Sequence, residues 1–115
     1  MGSIPSYIAL FQSGELEQRC ATLEQMVCPC RLCPHECGVG RDSSSDGKCR
    51  SGKLPMVSSA GPHFGEEAPL VGRGGSGTIF FTNCNLGCIF CQNYDISHLG
   101  QGREVSYREL ALTML

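Results

Sequence analysis

Thr78-Ile-Phe-Phe-Thr-Asn-Cys84-Asn-Leu-Gly-Cys88-Ile-Phe-Cys91-Gln-Asn-Tyr94 is the stretch that decides the fold. The β-favouring run from Thr78 to Phe81 predicts a strand. It leads straight into three cysteines spaced C-x3-C-x2-C, with Phe90 immediately before the third. One strand therefore delivers three thiolates into one loop. A structural zinc site closes with four protein ligands, whereas three thiolates on a cubic iron-sulfur cluster leave one iron open to a small molecule. The spacing predicts a reactive cluster held by Cys84, Cys88 and Cys91, with Phe90 as an apolar cover that lowers the local dielectric.

Downstream, the chain turns through Gly100-Gln-Gly102, and Ser106-Tyr-Arg-Glu109 has the form of a capping box, with Val105 and Leu110 spaced for a hydrophobic staple. Leu110, Met114 and Leu115 begin an apolar helical face. That helix has a start signal and no stop signal, so the chain reads as the N-terminal portion of a longer protein, incomplete and inactive alone. Upstream, Gly72-Arg-Gly74-Gly-Ser-Gly77 is a literal G-x-G-x-x-G, but it precedes the strand where a dinucleotide fingerprint must follow one. It reads as a flexible entry to the strand. Met56 to Ala60 predicts another short strand, ended by a turn at Gly61-Pro62. His63-Phe-Gly-Glu-Glu67 after it is compatible with proton transfer or substrate binding, and reads first as an exposed, salt-bridged loop.

Further upstream, Cys28-Pro-Cys30-Arg-Leu-Cys33-Pro-His-Glu-Cys37 carries prolines that forbid a continuous helix, and Cys49 follows a polar, serine-rich turn. Cys30, Cys33, Cys37 and Cys49 suffice for a four-thiolate site, either structural zinc or an auxiliary 4Fe-4S cluster. Gly38 and Gly47 would let the backbone fold tightly around it. His35 and Glu36 can stand in for a cysteine on zinc, and Cys28 is left as a free thiol. Toward the N-terminus, Tyr7 to Phe11 predicts a helical turn closed by Ser13-Gly14. Ser13 then caps a second helix with Glu15 and Glu17 in its first turn. Leu16, Cys20, Leu23 and Val27 fall on one face of that helix, so Cys20 reads as a small core residue. Met1 to Ser6 also matches a short lipidation pattern with Gly2 as acceptor, although a disordered start is the plainer reading.

Composition bounds the rest. A net charge of −2 with nine scattered Lys and Arg offers no basic stripe for nucleic acid. No apolar run approaches the roughly 20 residues that span a bilayer, and no export signal is present, so a soluble cytoplasmic protein without a membrane partner is expected. Nine cysteines is an odd number with metal-like spacing, which argues against a disulfide scaffold. With 15 Gly and 6 Pro, and no sustained periodicity between Gly38 and Gly77, a self-sufficient compact fold is not expected, and both metals holding the loops and membership of a larger protein are expected instead.

Cys84-Asn-Leu-Gly-Cys88-Ile-Phe-Cys91 resembles the C-x3-C-x-aromatic-C motif of the radical S-adenosylmethionine (SAM) enzymes. Gly75 to Phe81, Gln92 to Ser97 and His63 to Glu67 narrow the resemblance to the pyruvate formate-lyase activating enzyme-like branch. Cys30-x2-Cys33-Pro34-x2-Cys37-Gly38 resembles that branch's upstream element. The resemblance implies a 4Fe-4S cluster whose open iron is chelated by SAM, and reductive cleavage of SAM to methionine and a 5′-deoxyadenosyl radical. It also implies a flavodoxin- or ferredoxin-like electron donor and a protein substrate activated by the enzyme. No Gly-Gly-Glu segment, which in the family holds the SAM amino group, is present. The expected fold is an α+β fragment: helices over 1-27, an irregular Cys-rich metal-binding region over 28-74, and over 75-115 the first βα unit of a partial TIM-type (β/α) barrel. The alternative is a zinc-binding interaction module that catalyses nothing, with His98 completing a site of three cysteines and one histidine.

Overall fold

The computed structural model describes residues 4–115. Gly2, the acceptor of the lipidation pattern, lies outside them. The elements in chain order are α1 (Ser6–Gln12), α2 (Glu15–Gln25), β1 (Met56–His63), α3 (Ala68–Val71), β2 (Ser76–Phe81), α4 (Tyr94–Ser97), β3 (Arg103–Glu104) and α5 (Tyr107–Thr113). The three strands form one antiparallel sheet in the order β2-β1-β3.

β1 runs past its expected end at Ala60, and Gly61-Pro62 lies inside the strand, where the sequence suggests a turn. Pro62 lies opposite Gly77 of β2, while β3 covers only Met56 and Val57 on the other side. The edge of Pro62 that faces away from β2 therefore has no strand to donate to, which is where a sheet tolerates proline. The register slips between Val57 and Ser59. This bulge bends β1 beside the point where β3 joins it. β2 starts at Ser76, preceded by α3, which closes at Gly72 with φ 52°. The glycine-rich segment thus ends one helix and enters a strand, as its position relative to Thr78 suggests.

The capping box forms as expected. Ser106 Oγ accepts the Glu109 amide at 3.1 Å and the Glu109 carboxylate accepts the Ser106 amide at 2.7 Å. The helix it starts, α5, follows β3 and not β2. Between β2 and α5 lie the cysteine loop, α4 and a strand antiparallel to β1, so the passage is not a single strand-to-helix unit. Parallel neighbours of β2, which a (β/α) barrel requires, do not occur among the described residues.

Two N-terminal expectations change. Gly14, with φ 76°, is the N-cap of α2, and Ser13, one residue earlier, closes α1 with its hydroxyl donating to the Leu10 carbonyl while Oγ also accepts the Glu15 amide of α2 at 3.4 Å. The stripe Leu16, Cys20, Leu23 and Val27 is not a core face. Cys20 is exposed and Leu23 is 56% exposed, because among the described residues α2 packs mainly on α1, which leaves much of its apolar side open. Among the described residues the buried side chains are few, Cys30, Arg41, Thr82 and Val105, and of these Cys30 alone is fully buried. They lie where the Cys-rich loops meet the end of β2 and the start of α5. The radius of gyration is 16.7 Å, against about 13 Å for a compact domain of about 100 residues. Among the described residues, no helix is long and apolar enough to cross a membrane.

Candidate metal centre

The site is built outward from the end of β2. Thr82 is buried, its amide bonds the Met56 carbonyl at 2.9 Å, and its hydroxyl donates to the Ile96 carbonyl. Asn83 follows with φ 70°, a left-handed conformation that asparagine adopts more readily than most residues. Its amide also bonds Ile96 O, at 2.7 Å, and its side chain donates to Arg50 O and Ser51 Oγ, both at 3.3 Å. These bonds turn the chain out of the sheet and fix the base of the cysteine loop.

Cys84, Cys88 and Cys91 are free thiols, each half-buried, on that loop. Gly87, with φ 68°, folds the segment between the first two. The amides of Gly87 and Leu86, with that of Asn85, hold the Cys84 thiol below its usual range against a smaller opposing effect of burial. The Leu86 N–H donates to Cys84 Sγ at 3.4 Å. Backbone amides gathered this way favour the anion, which is the form that binds metal. Cys91 Sγ lies 3.1 Å from Ser97 Oγ, and Ser97 Oγ lies 2.8 Å from His98 Nδ1. His98 stacks on Tyr94 with ring centroids 4.5 Å apart. His98 thus faces Ser97 and does not join the three cysteines. Phe90, expected to cover the sulfurs, is 84% exposed and covers nothing among the described residues.

The upstream cysteines gather on a residue that the sequence does not single out. Arg41 is buried, and its Nε donates to Cys30 Sγ at 2.9 Å while Nη2 donates to Cys49 Sγ at 3.1 Å. Nη1 donates to the Ser51 carbonyl. Burial alone would push both thiols up. The Leu32 amide with Arg41, and the Ser51 amide with Arg41, reverse this and hold Cys30 and Cys49 below the ordinary thiol range. The Cys37 thiol nearby lowers Cys30 a little further. Gly47 closes over them, since a Cβ there would sit 3.0 Å from Cys37 Sγ. Cys33 joins Arg41 and Cys49 in lining a cavity of about 520 Å³ that Phe81, Asn85 and Leu110 also line. Cys28 is exposed and outside this set, and His63 and Glu66 make an exposed contact of 3.8 Å.

The two cysteine regions are joined. His35 Nε2–H donates to the Asn85 carbonyl at 2.7 Å, and Arg50 Nη2 donates to the Ser97 carbonyl at 3.2 Å. Neither His35 nor Glu36 turns to a cysteine. Arg41, Arg50, Asn83 and Ser97 escaped the sequence reading. The one signal for Asn83 was its place between a strand and the first cysteine.

The fit to a thiolate-bound group is in the donors. Soft sulfur ligands suit iron-sulfur clusters and zinc, and three free thiols lie on one loop, the first biased toward thiolate. Their sulfurs are not converged, since among the described residues no three His, Cys, Asp or Glu side chains are placed to hold a metal ion.

No family model matches the chain, and no solved structure matches it. An uncharacterized protein of Methanocaldococcus jannaschii is 46% identical over 70 residues, which are 61% of this chain and 19% of that protein. The chain therefore spans about a fifth of the length of the curated relative it matches.

Proposed function

We propose that this chain carries the cluster-binding part of a radical SAM iron-sulfur protein. The observation that carries the reading is the loop itself. Three free thiols leave the end of a strand in the C-x3-C-x2-C spacing, and amides of the same loop favour the first as a thiolate. Cys84, Cys88 and Cys91 would hold a 4Fe-4S cluster, leaving one iron for SAM. When bound, that pair supplies reductive cleavage of SAM to methionine and a 5′-deoxyadenosyl radical, given one electron from a flavodoxin- or ferredoxin-like donor. A reducing cytoplasmic setting suits thiols kept free. In this reading the motif sits at the C-terminal end of β2 as active sites sit on the strands of a (β/α) barrel. Activation of a partner protein is the activity the resemblance suggests.

The chain's own residues have narrower tasks. Thr82 and Asn83 anchor the loop to α4, and the loop amides stabilise negative charge on sulfur. In the upstream set, Cys30, Cys33, Cys37 and Cys49 would hold zinc or a second 4Fe-4S cluster, with Arg41 donating to two of the sulfurs. Anaerobic reconstitution tests the proposal. Iron and sulfide uptake with broad visible absorption, and an EPR signal of the reduced cluster that changes on adding SAM, is the expected result. Stoichiometric zinc with no iron uptake would overturn it in favour of a zinc-binding interaction module.

A further inference from the structure

β2 is an edge of the sheet. β1 pairs with one side of it, and the other side has no partner strand among the described residues. The alternation of an antiparallel ladder fixes which groups that open side presents. The Thr82 amide donates to Met56 O, so the N–H groups of Phe80 and Thr78 also face β1, and those of Phe81, Ile79 and Gly77 face outward. Pro62, which has no N–H to give, lies opposite Gly77, in agreement with that phase. Sheets usually guard such an edge with a charge or a proline. From Gly74 to Tyr94 the sequence holds neither. Phe80 and Phe81 are 41% and 50% exposed.

The missing charge bears on what can cover the edge. When a strand pairs with its own copy about a two-fold axis, each residue near the axis meets itself or a close neighbour, so any charge there would oppose a like charge. An uncharged strand is what self-pairing needs. Surface area agrees. The chain exposes 8789 Å², where a compact monomer of 12.4 kDa exposes about 6,100 Å². The excess, about 2,700 Å², is some three times the roughly 800 Å² that each partner gives to a standard interface.

We propose that two copies of this chain pair through the open edge of β2, antiparallel about a two-fold axis, joining two three-stranded sheets into one. The register that pairs β2 most fully puts the axis at Ile79, whose outward N–H and C=O then make the central bonds. The cysteine loops leave the joined strands at opposite ends, so each copy keeps its own, and the proposal stands apart from the cluster reading above.

Sedimentation velocity of the full chain in excess reductant, over a range of concentrations, tests this. The expected wild-type species has twice the 12.4 kDa mass of the chain. Ile79→Pro removes an outward N–H and leaves the ladder to β1 intact, the setting in which an edge strand tolerates proline. Phe80→Lys places a charge at an already exposed position, where it would face its like across the axis. Both variants are expected to sediment as monomers with the far-UV circular dichroism of wild type. Should Ile79→Pro fail to fold, Phe80→Lys decides. A wild-type chain that stays monomeric or grows beyond a dimer overturns the proposal, and so does a dimer that persists in either folded variant.

Discussion

Replacing Arg41 by Met asks how much of the N-terminal half depends on one guanidinium. Met is close in length and apolar, so the change removes three donors and little volume. The half-buried Ser51 carbonyl loses its Arg41 donor, which costs about 1–3 kcal/mol, toward the low end because water can partly replace the donor. The two N–H···S bonds, to Cys30 and Cys49, add roughly 0.5–1.5 kcal/mol each as ordinary intramolecular hydrogen bonds, near the low end because sulfur is a weak acceptor. The thiols can return to the neutral form, so no buried charge is stranded. The sum is about 2–4 kcal/mol. Urea denaturation of the reduced, chelator-treated chain measures it as a lower midpoint at unchanged slope. Arg41→Lys should lie between, because one ammonium cannot reach three acceptors with the geometry of the guanidinium fork. A loss in Arg41→Met below about 0.5 kcal/mol, the range of an ordinary surface substitution, would refute the hub.

Single Cys84→Ala, Cys88→Ala or Cys91→Ala replacements should each abolish cluster uptake, measured as iron and sulfide per chain. Cys20→Ala, at an exposed position on α2, should leave it unchanged. A Cβ at position 102 would lie 2.8 Å from both the Val57 carbonyl oxygen and Thr82 Cγ2, so Gly102→Ala should destabilise by about 1–3 kcal/mol in thermal unfolding. Gly77→Ala meets nothing within 4 Å and serves as the control for lost glycine flexibility. The Ser106 amide and hydroxyl hold the Glu109 carboxyl below the usual glutamate range. Its stabilising effect is therefore complete above the unfolded value, about 4.3, and is lost as pH falls through the lower folded value. Melting temperatures of wild type and Glu109→Gln should differ by a constant amount above that range and converge below it.

What the sequence made legible was local. The run from Thr78 to Phe81, the glycines before it and the Ser106 to Glu109 box each carry their structural instruction within a few residues. Gly47 was legible for a similar reason, as a backbone position crowded by its own loop. Arg41 was not, because a single arginine at the edge of a polar turn has no periodicity, and only the folded loops show that it faces two sulfurs. The Cys20 stripe failed in the opposite way. Its helical spacing is sound, but an apolar face becomes core only when another element covers it, and α1 alone does not. Gly61-Pro62 has the composition of a turn, and only the unpaired far edge of β1 allows it to remain strand. Ser97 and His98 acquire their relation to Cys91 through α4, which the sequence did not announce.

The bonds from His35 to Asn85 and from Arg50 to Ser97 tie the two cysteine regions into one thermodynamic system. If filling the upstream thiols stiffens the segment that carries His35 and Arg50, the downstream loop is offered its ligand with part of the ordering entropy already spent. Linkage then requires the converse, by the same factor in affinity. The order in which the two sites load would not alter the final state, but it would alter which one is seen to bind tightly. Titrations begun from opposite ends should give different apparent first affinities and the same product of the two.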